Sequence, residues 1–279
     1  MTPTILLLAL VAPAWADDVQ VRHDVPYLDA GREETADLYL PAEGPKAGER
    51  RPAVVIIHGG GWTGGEKRAR REIEIGTTLA KHGYVAMSID YVLAKPGKPT
   101  WPENLKDCKR AVRWLRKHAD ELHVDPDRIG AIGGSAGGHL TAMLAVTGPD
   151  DGFEPAEDVG ISTRIRAAVP MYAHMAAGFE GDHPMFASRL KDDPELYRLA
   201  APIAHVTKDD PPMLLLHGTA DATTPVDHSR RLAARLEEVG VPHKLEIIEG
   251  APHSFALHTK GRDLTGLVVG FFDEHLKPR

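Results

Sequence analysis

The sequence predicts an α/β fold in which a mostly parallel central sheet of about eight strands carries helices on both faces. Short, continuously apolar runs such as residues 53–57 are typical of strands that are buried on both faces of a parallel sheet. Stretches with helical spacing lie between these runs, and most connections are short. No internal repeat, low-complexity linker or change of composition divides the chain, so we expect one domain over residues 17–279.

The predicted elements follow one another along the chain. Two extended stretches with partial alternation come first, at residues 19–25 and 34–40, and a loop rich in Gly and Pro leads to the strand 53–57. Further strands are predicted at residues 84–89, 128–132, 165–171, 213–216 and 244–248. Helices are predicted at residues 70–82, 136–146, 226–239 and 261–276. The one long irregular segment, residues 172–212, is expected to form one side of a pocket, because long loops in compact domains are usually functional.

One more helix has clear boundary signals. Thr100 offers an N-cap hydroxyl, Pro102 stands in the first turn, and Glu103 would complete a capping box. Apolar side chains then recur at three- and four-residue steps and predict one buried face: Leu105, Cys108, Val112 and Leu115. Cys108 is the only cysteine, so the fold has no intramolecular disulfide, and we expect a buried, unreactive thiol.

Composition and charge are those of an ordinary globular protein. Hydrophobic residues make up 42% of the chain and charged residues 26%, which is enough for a sizeable core. The formal net charge of −7 argues against a nucleic-acid partner, which would favour a basic stripe. The one short basic run, residues 67–71, is interpreted as the solvated start of a helix.

The first sixteen residues predict a signal peptide. Their apolar run at residues 5–12 is too short to cross a bilayer, which takes about 20 residues. Ala14 and Ala16 flank Trp15 in the small-x-small pattern that signal peptidase cleaves, so the mature chain is expected to start at Asp17. We therefore expect a secreted or periplasmic protein with no membrane span after cleavage. The alternative is that these residues form a buried N-terminal strand.

Four glycines and an alanine surround Ser135 in the stretch GGSAGG, between a predicted strand and a predicted helix. This is a G-x-S-x-G pattern at a strand-to-helix turn, where the serine occupies a strained apex and its hydroxyl projects above the sheet. The small residues Gly133 and Gly137 let the strand and the helix pass closely. Ser135 is therefore a candidate nucleophile, and the alternative is a glycine-rich turn with an incidental serine.

A second glycine run, HGGGW at residues 58–62, follows another buried strand. Ester hydrolysis passes through a tetrahedral oxyanion that needs preorganised N–H donors, and glycines expose such groups with no side chain in the way. The candidate donors are the N–H groups of Gly60, Gly61 and Ala136. His58 is interpreted as a brace for this loop rather than as a catalytic group. Trp62 either lines a pocket or anchors the loop.

A serine nucleophile needs a general base and a carboxylate that orients the base, each on the loop after a later strand. Asp221 stands just beyond the strand predicted at residues 213–216, and His253 stands just beyond the last predicted strand. Both therefore fit the order Ser, acid, His. The rival residues precede a strand, open a helix or lie past the loop: Asp210, Asp227, His243 and His258.

With these motifs, the chain resembles the α/β-hydrolases, and in particular the bifunctional acetylxylan and feruloyl esterases related to the hormone-sensitive lipase group. The matching pieces are HGGGW (58–62), SIDYVLA (88–94), WPENLKDCKRAVRWLRKHA (101–119), DPDRIGAIGGSAGGHL (125–140), DDPPMLLLHGTAD (209–221) and GAPHSF (250–255). They cover most of residues 53–255. The resemblance implies a catalytic triad and an oxyanion hole as follows: Ser135 as nucleophile, His253 as general base, Asp221 as its orienting acid, and Gly60, Gly61 and Ala136 as oxyanion donors.

Two features depart from the lipase group. Its members often carry an acidic residue directly before the nucleophile, as in GDSAGG or GESAGG, whereas this chain has Gly134. They also carry a helical cap ahead of the HGGG strand, whereas the residues before that strand are predicted here as strands. A site without a cap would suit an ester on a bulky polymer better than a free lipid.

The resemblance implies an ester substrate, and plant polysaccharide esters are the expected class. Candidates for the pocket lining are Trp62, Tyr172, Phe179 and Phe186, with Met185 beside them. The alternative for each is ordinary packing of a loop. We expect no metal or other cofactor, because the fifteen histidines form no H-E-x-x-H pattern and no Cys–His ligand spacing.

Three other functions stay open. A small-acyl carboxylesterase acting on non-carbohydrate esters would use the same residues. A prolyl-oligopeptidase-like serine peptidase shares the triad and its order, but it usually carries a large second domain and a bulky aromatic residue beside the nucleophile. A non-catalytic binding protein on a hydrolase scaffold would typically have lost a triad member, whereas this chain keeps all three.

Overall fold

A computed structural model describes residues 19–175 and 181–278 of the chain. The predicted signal peptide at residues 1–16 and the pocket candidate Phe179 lie outside these described residues. The central sheet is formed by β1 (Val19–Val25), β2 (Ala36–Pro41), β3 (Arg51–Ile57), β4 (Val85–Ile89), β5 (Val124–Gly134), β6 (Ala167–Met171), β7 (Met213–Gly218) and β8 (His243–Ile248).

The eight strands lie in the order β1-β2-β4-β3-β5-β6-β7-β8. β1 pairs antiparallel with β2, and β2 pairs antiparallel with β4. Every other pair in the sheet is parallel, so six strands end at the same edge. The predicted fold class, a mostly parallel sheet of about eight strands in an α/β-hydrolase arrangement, is confirmed.

The helices found in the described residues are α1 (Arg70–Lys81), α2 (Glu103–Lys117), α3 (Ala136–Val146), α4 (Pro194–Leu199), α5 (Asp227–Val239) and α6 (Thr265–Leu276). α2, α3 and α5 contribute to one apolar cluster on the sheet, and α1 and α6 contribute to a second cluster on its other face. β3 supplies Val55 to the first cluster and Val54 to the second, which is why its continuously apolar run is buried on both sides. None of the helices in this part of the chain has the length and apolarity needed to cross a bilayer.

The predicted buried face of α2 is confirmed, since its apolar side chains are inaccessible: Leu105, Cys108, Val112 and Leu115. Cys108 donates its thiol hydrogen to the carbonyl of Asn104 at 3.3 Å, and burial raises the pKa of the thiol well above its usual value. α3 is buried along its whole length, as expected for a helix that is apolar on every side. α3 starts immediately after Ser135, and Ser135 directly follows β5. Because β5 lies in the middle of the sheet, the turn that carries Ser135 lies there too.

Three local expectations differ from the structure. α2 has Pro102 as its N-cap and no side-chain cap, so the predicted capping box is wrong: the N–H of Thr100 donates instead to the carbonyl of Met185 at 2.9 Å. α6 begins at Thr265 rather than at residue 261, because residues 258–263 form a two-stranded hairpin. The segment 172–212, predicted to be irregular, contains the short helix α4.

The interpretation of residues 67–71 as a solvated helix start is wrong for most of the run. Lys67 is buried and pairs with Asp90 at 2.8 Å. Arg68 pairs with the inaccessible carboxylate of Asp37 at 2.7 Å. Arg71 points inward, and its side chain is only 14% exposed. Lys67 and Arg68 therefore fasten the segment before α1 to the antiparallel edge of the sheet, and Arg71 instead donates to the hydroxyl of Tyr172 beyond β6.

Candidate active site

Ser135 stands at the turn between β5 and α3, with a positive φ of 57° and a ψ of −120°. A non-glycine residue in this region is strained, and such strain persists where the surroundings hold the backbone in place. Here the N–H of Ser135 donates to the carbonyl of Met171, the last residue of β6, at 2.9 Å. The turn thus keeps the serine side chain above the carboxyl ends of the parallel strands, where ligands bind in open α/β sheets.

The glycines of this turn allow backbone segments to approach closely. A Cβ on Gly133 would lie 2.5 Å from the carbonyl oxygen of Gly137, and a Cβ on Gly137 would lie 2.5 Å from the carbonyl oxygen of His58. Real Cβ atoms do not approach oxygen atoms this closely. β5, the start of α3 and the loop after β3 can pack together only because these side chains are absent.

His253 connects Ser135 to Asp221. Its Nε2 lies 2.8 Å from Ser135 Oγ, and its Nδ1 lies 2.7 Å from Asp221 Oδ2. A carboxylate can only accept, so Nδ1 carries the proton and donates it to Asp221, which leaves Nε2 to accept from the serine hydroxyl. The structure therefore brings together the three residues that the sequence selected from three separate loops.

Asp221 is held in its ionised form by its surroundings. Burial alone would raise the pKa of this carboxyl, but the N–H of Thr224, the His253 ring and the N–H of Thr223 all donate to it and hold its pKa below the usual value. The two amide nitrogens lie 2.8 and 2.9 Å from Asp221 Oδ1. His217, fully buried at the end of β7, places Nε2 3.3 Å from Asp221 Oδ2. Sequence reasoning did not identify this second histidine.

The loop after β3 carries backbone N–H groups into the same region. Gly60 and Gly61 have φ angles of 119° and 60°, which favour glycine strongly. The carbonyl of Gly60 accepts from the N–H groups of Thr63 and Gly64, which closes the loop into a tight turn. The N–H groups of Gly60, Gly61 and Ala136 donate to no other residue within 19–175 and 181–278.

His58 braces this loop from below. Its Nδ1–H donates to the carbonyl of Gly59 at 2.6 Å, and its ring stacks on Tyr91 with 4.4 Å between the centroids. The hydroxyl of Tyr91 in turn donates to the carbonyl of His58 at 3.0 Å. Burial lowers the pKa of His58, so this histidine is a neutral structural group, as interpreted from the sequence.

A pocket of about 330 Å³ opens beside Ser135. It is lined by Gly61, Trp62, Ser135, His174, Gly181, Asp182, His183, Thr223, Pro225 and His228. Trp62 takes both of the roles left open by the sequence, because it lines this pocket and is also buried edge-on against His183, with 4.6 Å between ring centroids. Trp62 is therefore placed where it could contact a substrate, as predicted.

Two other predicted pocket residues lie elsewhere. Tyr172 is fully buried under the site, where its hydroxyl bonds the carbonyl of Phe255, and it does not line the pocket. Phe186 packs on Tyr197 with 4.1 Å between ring centroids, because the apolar core on that face of the sheet takes up its ring. The neighbouring Met185 is also fully buried. The assignments of Tyr172 and Phe186 as pocket-lining residues are therefore wrong.

The pocket owes its character to histidines that the sequence reasoning missed. Burial, followed by the charges of His228 and His183, lowers the pKa of His174 to about 4. Burial also lowers the pKa of His183. These rings are therefore neutral near pH 7 and present polar but uncharged edges. His174 could have been suspected, because it stands three residues beyond the end of β6, at the edge where the parallel strands converge.

No group of His, Cys, Asp or Glu side chains in the described ranges is arranged to hold a metal ion. The reactive geometry consists of an activated serine, its histidine and aspartate, and free backbone donors beside them. Such an arrangement can perform nucleophilic acyl transfer.

Comparison with known proteins places this geometry in a family. A family model described as BD-FAE matches residues 36–236. The esterase LipQ of Mycobacterium tuberculosis is 33% identical over 228 residues, which is 78% of this chain and 53% of that relative. The chain thus spans about half the length of the curated relatives that it matches first.

Two solved structures share nearly the whole fold. A truncated carbohydrate esterase from gut microbiota is 25% identical, with a TM-score of 0.81 and coverage of 94% of this chain and 98% of that one. An esterase of Thermogutta terrifontis, solved with butyrate bound, is 30% identical, with a TM-score of 0.76 and coverage of 95% and 97%. Both relatives are described as esterases.

Proposed function

The chain belongs to the BD-FAE family of esterases, and from this premise we propose that it is a serine carboxylic ester hydrolase. The single observation that carries the proposal is the hydrogen-bonded sequence Ser135–His253–Asp221, with distances of 2.8 and 2.7 Å. Ser135 acts as nucleophile, His253 as general base and Asp221 as the group that orients the histidine. The naming of the relatives as esterases supports ester hydrolysis over peptide hydrolysis.

Acylation follows from this geometry. His253 Nε2 takes the hydroxyl proton while Ser135 Oγ forms a bond to the ester carbonyl carbon, and Asp221 stabilises the imidazolium that results. The carbonyl oxygen becomes an oxyanion that the N–H groups of Gly60, Gly61 and Ala136 stabilise. When the tetrahedral intermediate collapses, the bond to the alcohol oxygen breaks, and His253 gives its proton to the departing alkoxide.

Deacylation repeats the cycle with water. His253 removes a proton from the water as its oxygen attacks the acyl carbon, and the same N–H groups stabilise the second oxyanion. The bond to Ser135 Oγ then breaks, and His253 returns the proton to the serine. The net reaction converts ester and water into carboxylic acid and alcohol, with no redox change and no additional co-reactant.

We further propose that the natural substrates are acetyl or feruloyl esters of plant polysaccharides. The polar edges of His174, His183 and His228 beside Ser135 favour an alcohol that carries hydroxyl groups. The described residues that precede β3 form strands and no helix, so none of these residues caps the site against a bulky substrate. The related carbohydrate esterase supports the same class.

A second candidate is a small-acyl carboxylesterase that acts on non-carbohydrate esters. The pocket of about 330 Å³ accommodates a short acyl chain, and the related esterase of Thermogutta terrifontis was solved with butyrate. The two candidates use the same triad and differ in the acyl and alcohol groups that they prefer.

The first experiment measures the initial rate of p-nitrophenyl acetate hydrolysis by the wild type and by Ser135→Ala. We expect the variant to lose about four to six orders of magnitude in kcat, because the nucleophile is absent. Ser162→Ala, which removes an exposed hydroxyl before β6 at the opposite edge of the sheet, is the matched control and should keep full activity. Equal rates for the wild type and Ser135→Ala would reject the proposed function.

A comparison of separate substrates then distinguishes the two candidates. Acetate release from acetylated xylan and ferulate release from methyl ferulate are compared with hydrolysis of p-nitrophenyl butyrate at matched enzyme concentration. A kcat/KM that is highest for the polysaccharide ester or the ferulate supports the first candidate. Efficient hydrolysis of the butyrate ester alone supports the second.

We also propose that residues 1–16 direct export of the protein. The support is the sequence pattern of a short apolar run followed by Ala14-Trp15-Ala16. N-terminal sequencing of protein recovered from the periplasm or medium of an expressing bacterium should give Asp17 as the first residue. Retention of uncleaved protein inside the cells would reject export.

A further inference from the structure

Arg71 is a half-buried cation behind the reactive serine. Its Nε donates to Glu72 Oε1 at 3.0 Å, and its Nη1 donates to the hydroxyl of Tyr172 at 2.6 Å. The position that a Cβ would take on Gly59 lies 3.3 Å from both Arg71 Nη2 and Ser135 Cβ. The guanidinium therefore lies directly beneath the nucleophile turn, although Arg71 does not line the pocket.

Tyr172 links the two loops that must meet for the reaction. Its hydroxyl accepts from Arg71 and donates to the carbonyl of Phe255 at 2.8 Å, two residues beyond His253. Its ring lies edge-on to the imidazole of His253, with 5.1 Å between the centroids. Burial raises the pKa of Tyr172 to about 12, so the hydroxyl keeps the proton that it donates.

The backbone on the other side of Tyr172 supports the serine. Met171 precedes Tyr172, and its carbonyl accepts the N–H of Ser135 at 2.9 Å. The N–H of Tyr172 donates to the carbonyl of Leu216 in β7 at 2.7 Å. Tyr172 itself has a positive φ of 36°, which is uncommon for an aromatic residue. Strain of this kind is retained where several contacts fix one residue, as they do here.

The pair also explains the glycine that precedes the nucleophile. A Cβ on Gly134 would collide with the hydroxyl of Tyr172 and would lie 2.7 Å from Arg71 Nη1. The space that an acidic side chain would need at this position is therefore filled by Arg71 and Tyr172. Because Arg71 points inward and occupies this space together with Tyr172, position 134 has room for glycine and not for the acidic residue of the GDSAGG pattern.

We propose that Arg71 and Tyr172 are positioning residues for the ester hydrolysis proposed above, on which this inference rests. Arg71 fixes the hydroxyl of Tyr172, and Tyr172 holds the loop of His253 so that the imidazole faces Ser135. Neither residue lines the pocket beside Ser135. Both act through the alignment of His253 with the nucleophile.

The test compares Tyr172→Phe with Tyr84→Phe. Tyr84 is equally buried, and its hydroxyl donates to Asp273 Oδ1 at 2.6 Å, away from the site, so it controls for the loss of a buried phenol hydroxyl. We expect kcat for p-nitrophenyl acetate to fall about 10- to 100-fold in Tyr172→Phe with KM unchanged, since small misplacements of reacting groups have effects of this size. Tyr84→Phe should keep the wild-type kcat. Equal kcat values for the two variants would overturn the proposal.

A second measurement examines the contact between a side chain at position 134 and Tyr172. Gly134→Ala is made in the wild type and in Tyr172→Phe, which removes the hydroxyl nearest to the added Cβ and leaves Arg71 Nη1 at 2.7 Å and the Cζ of residue 172 at 2.8 Å. The combined loss in kcat/KM should be smaller than the product of the two single losses. A combined loss equal to that product would mean that Gly134 and the hydroxyl act independently, which contradicts the proposal.

An activity-free readout separates this inference from the proposed function. The imidazole proton that His253 donates to Asp221 should give a downfield NMR resonance, assigned by its absence in His253→Ala. We expect this resonance to broaden or disappear in Tyr172→Phe and to persist in Tyr84→Phe. A wild type that shows the resonance but hydrolyses no ester rejects the function alone, whereas an unchanged resonance in Tyr172→Phe rejects the positioning role.

Discussion

Two glycine-rich segments meet at the reactive serine, and glycine is required for different reasons at Gly137 in one segment and at Gly61 in the other. In the nucleophile turn, residues 133–138, an added Cβ would meet neighbouring backbone at Gly133, Gly137 and Gly138, and the side chains of Tyr172 and Arg71 at Gly134. In the loop after β3, residues 59–61, an added Cβ would meet backbone at Gly59 and Gly60, but the space beside Gly61 is open. The atom nearest to a Cβ added there is Thr63 Oγ1, at 3.9 Å. There the positive φ of 60° is what requires glycine.

This difference shows that the same residue type can carry two kinds of constraint within one site. A steric constraint involves the whole neighbourhood, since the strand opposite must move if a side chain is added. A backbone constraint is local and costs only the strain of one residue. Substitutions to alanine should therefore have graded effects, which depend on which constraint each glycine meets.

The largest effect is expected for Gly137→Ala. Its Cβ would lie 2.5 Å from the carbonyl oxygen of His58, so β3 and α3 would have to separate. We expect a loss of at least about 3 kcal/mol in the free energy of unfolding, measured in urea, together with loss of esterase activity. A fully stable variant would show that Gly137 has no steric constraint, and the proposed difference between Gly137 and Gly61 would then be wrong.

A smaller effect is expected for Gly61→Ala. The side chain has room, and only the left-handed backbone is unfavourable, at about 1–2 kcal/mol. Because the N–H of Gly61 is a proposed oxyanion donor, we expect kcat to fall about tenfold, less than the 10²- to 10³-fold that follows loss of a donor. Urea unfolding and steady-state kinetics on the same preparation measure both. A loss of stability as large as that of Gly137→Ala would contradict the comparison.

The smallest effect, with the opposite sign, is expected for Gly270→Ala. This glycine is exposed within α6, has no atom within 4 Å of an added Cβ, and has no positive φ. Neither constraint applies, so alanine should stabilise the protein by about 0.5–1 kcal/mol through its higher helix propensity. Activity should not change. Destabilisation would mean that position 270 requires glycine for a reason other than steric contact or a positive φ.

The fold and the triad could be predicted because both depend on order along the chain. Buried parallel strands carry continuous apolar runs, such as residues 53–57 of β3, and the loops that follow parallel strands converge at one edge of the sheet. Ser135, Asp221 and His253 each follow a parallel strand of the sheet, so chain order and strand position together select them. The close packing of the strand and the helix around Ser135 could also be predicted, because Gly133 and Gly137 lie two residues before and two residues after the serine.

The remaining features depend on partners that are far apart in the sequence. Arg68 meets Asp37, which lies 31 positions away, and this distant carboxylate turns an apparently solvated basic run into part of the fold. Arg71 meets Tyr172 across 101 positions. Thr100 looks like an N-cap by its neighbours alone, but its N–H is taken by the carbonyl of Met185. Local patterns contain no information about such partners.

The burial of Cys108 has a practical consequence. It is the only cysteine in the chain, its side chain is inaccessible, and its raised thiol pKa keeps the sulfur protonated. A cysteine introduced at any exposed position would therefore be the single reactive thiol of the molecule. A fluorophore, a spin label or a link to a solid support can then be attached at one chosen point without first replacing a native residue.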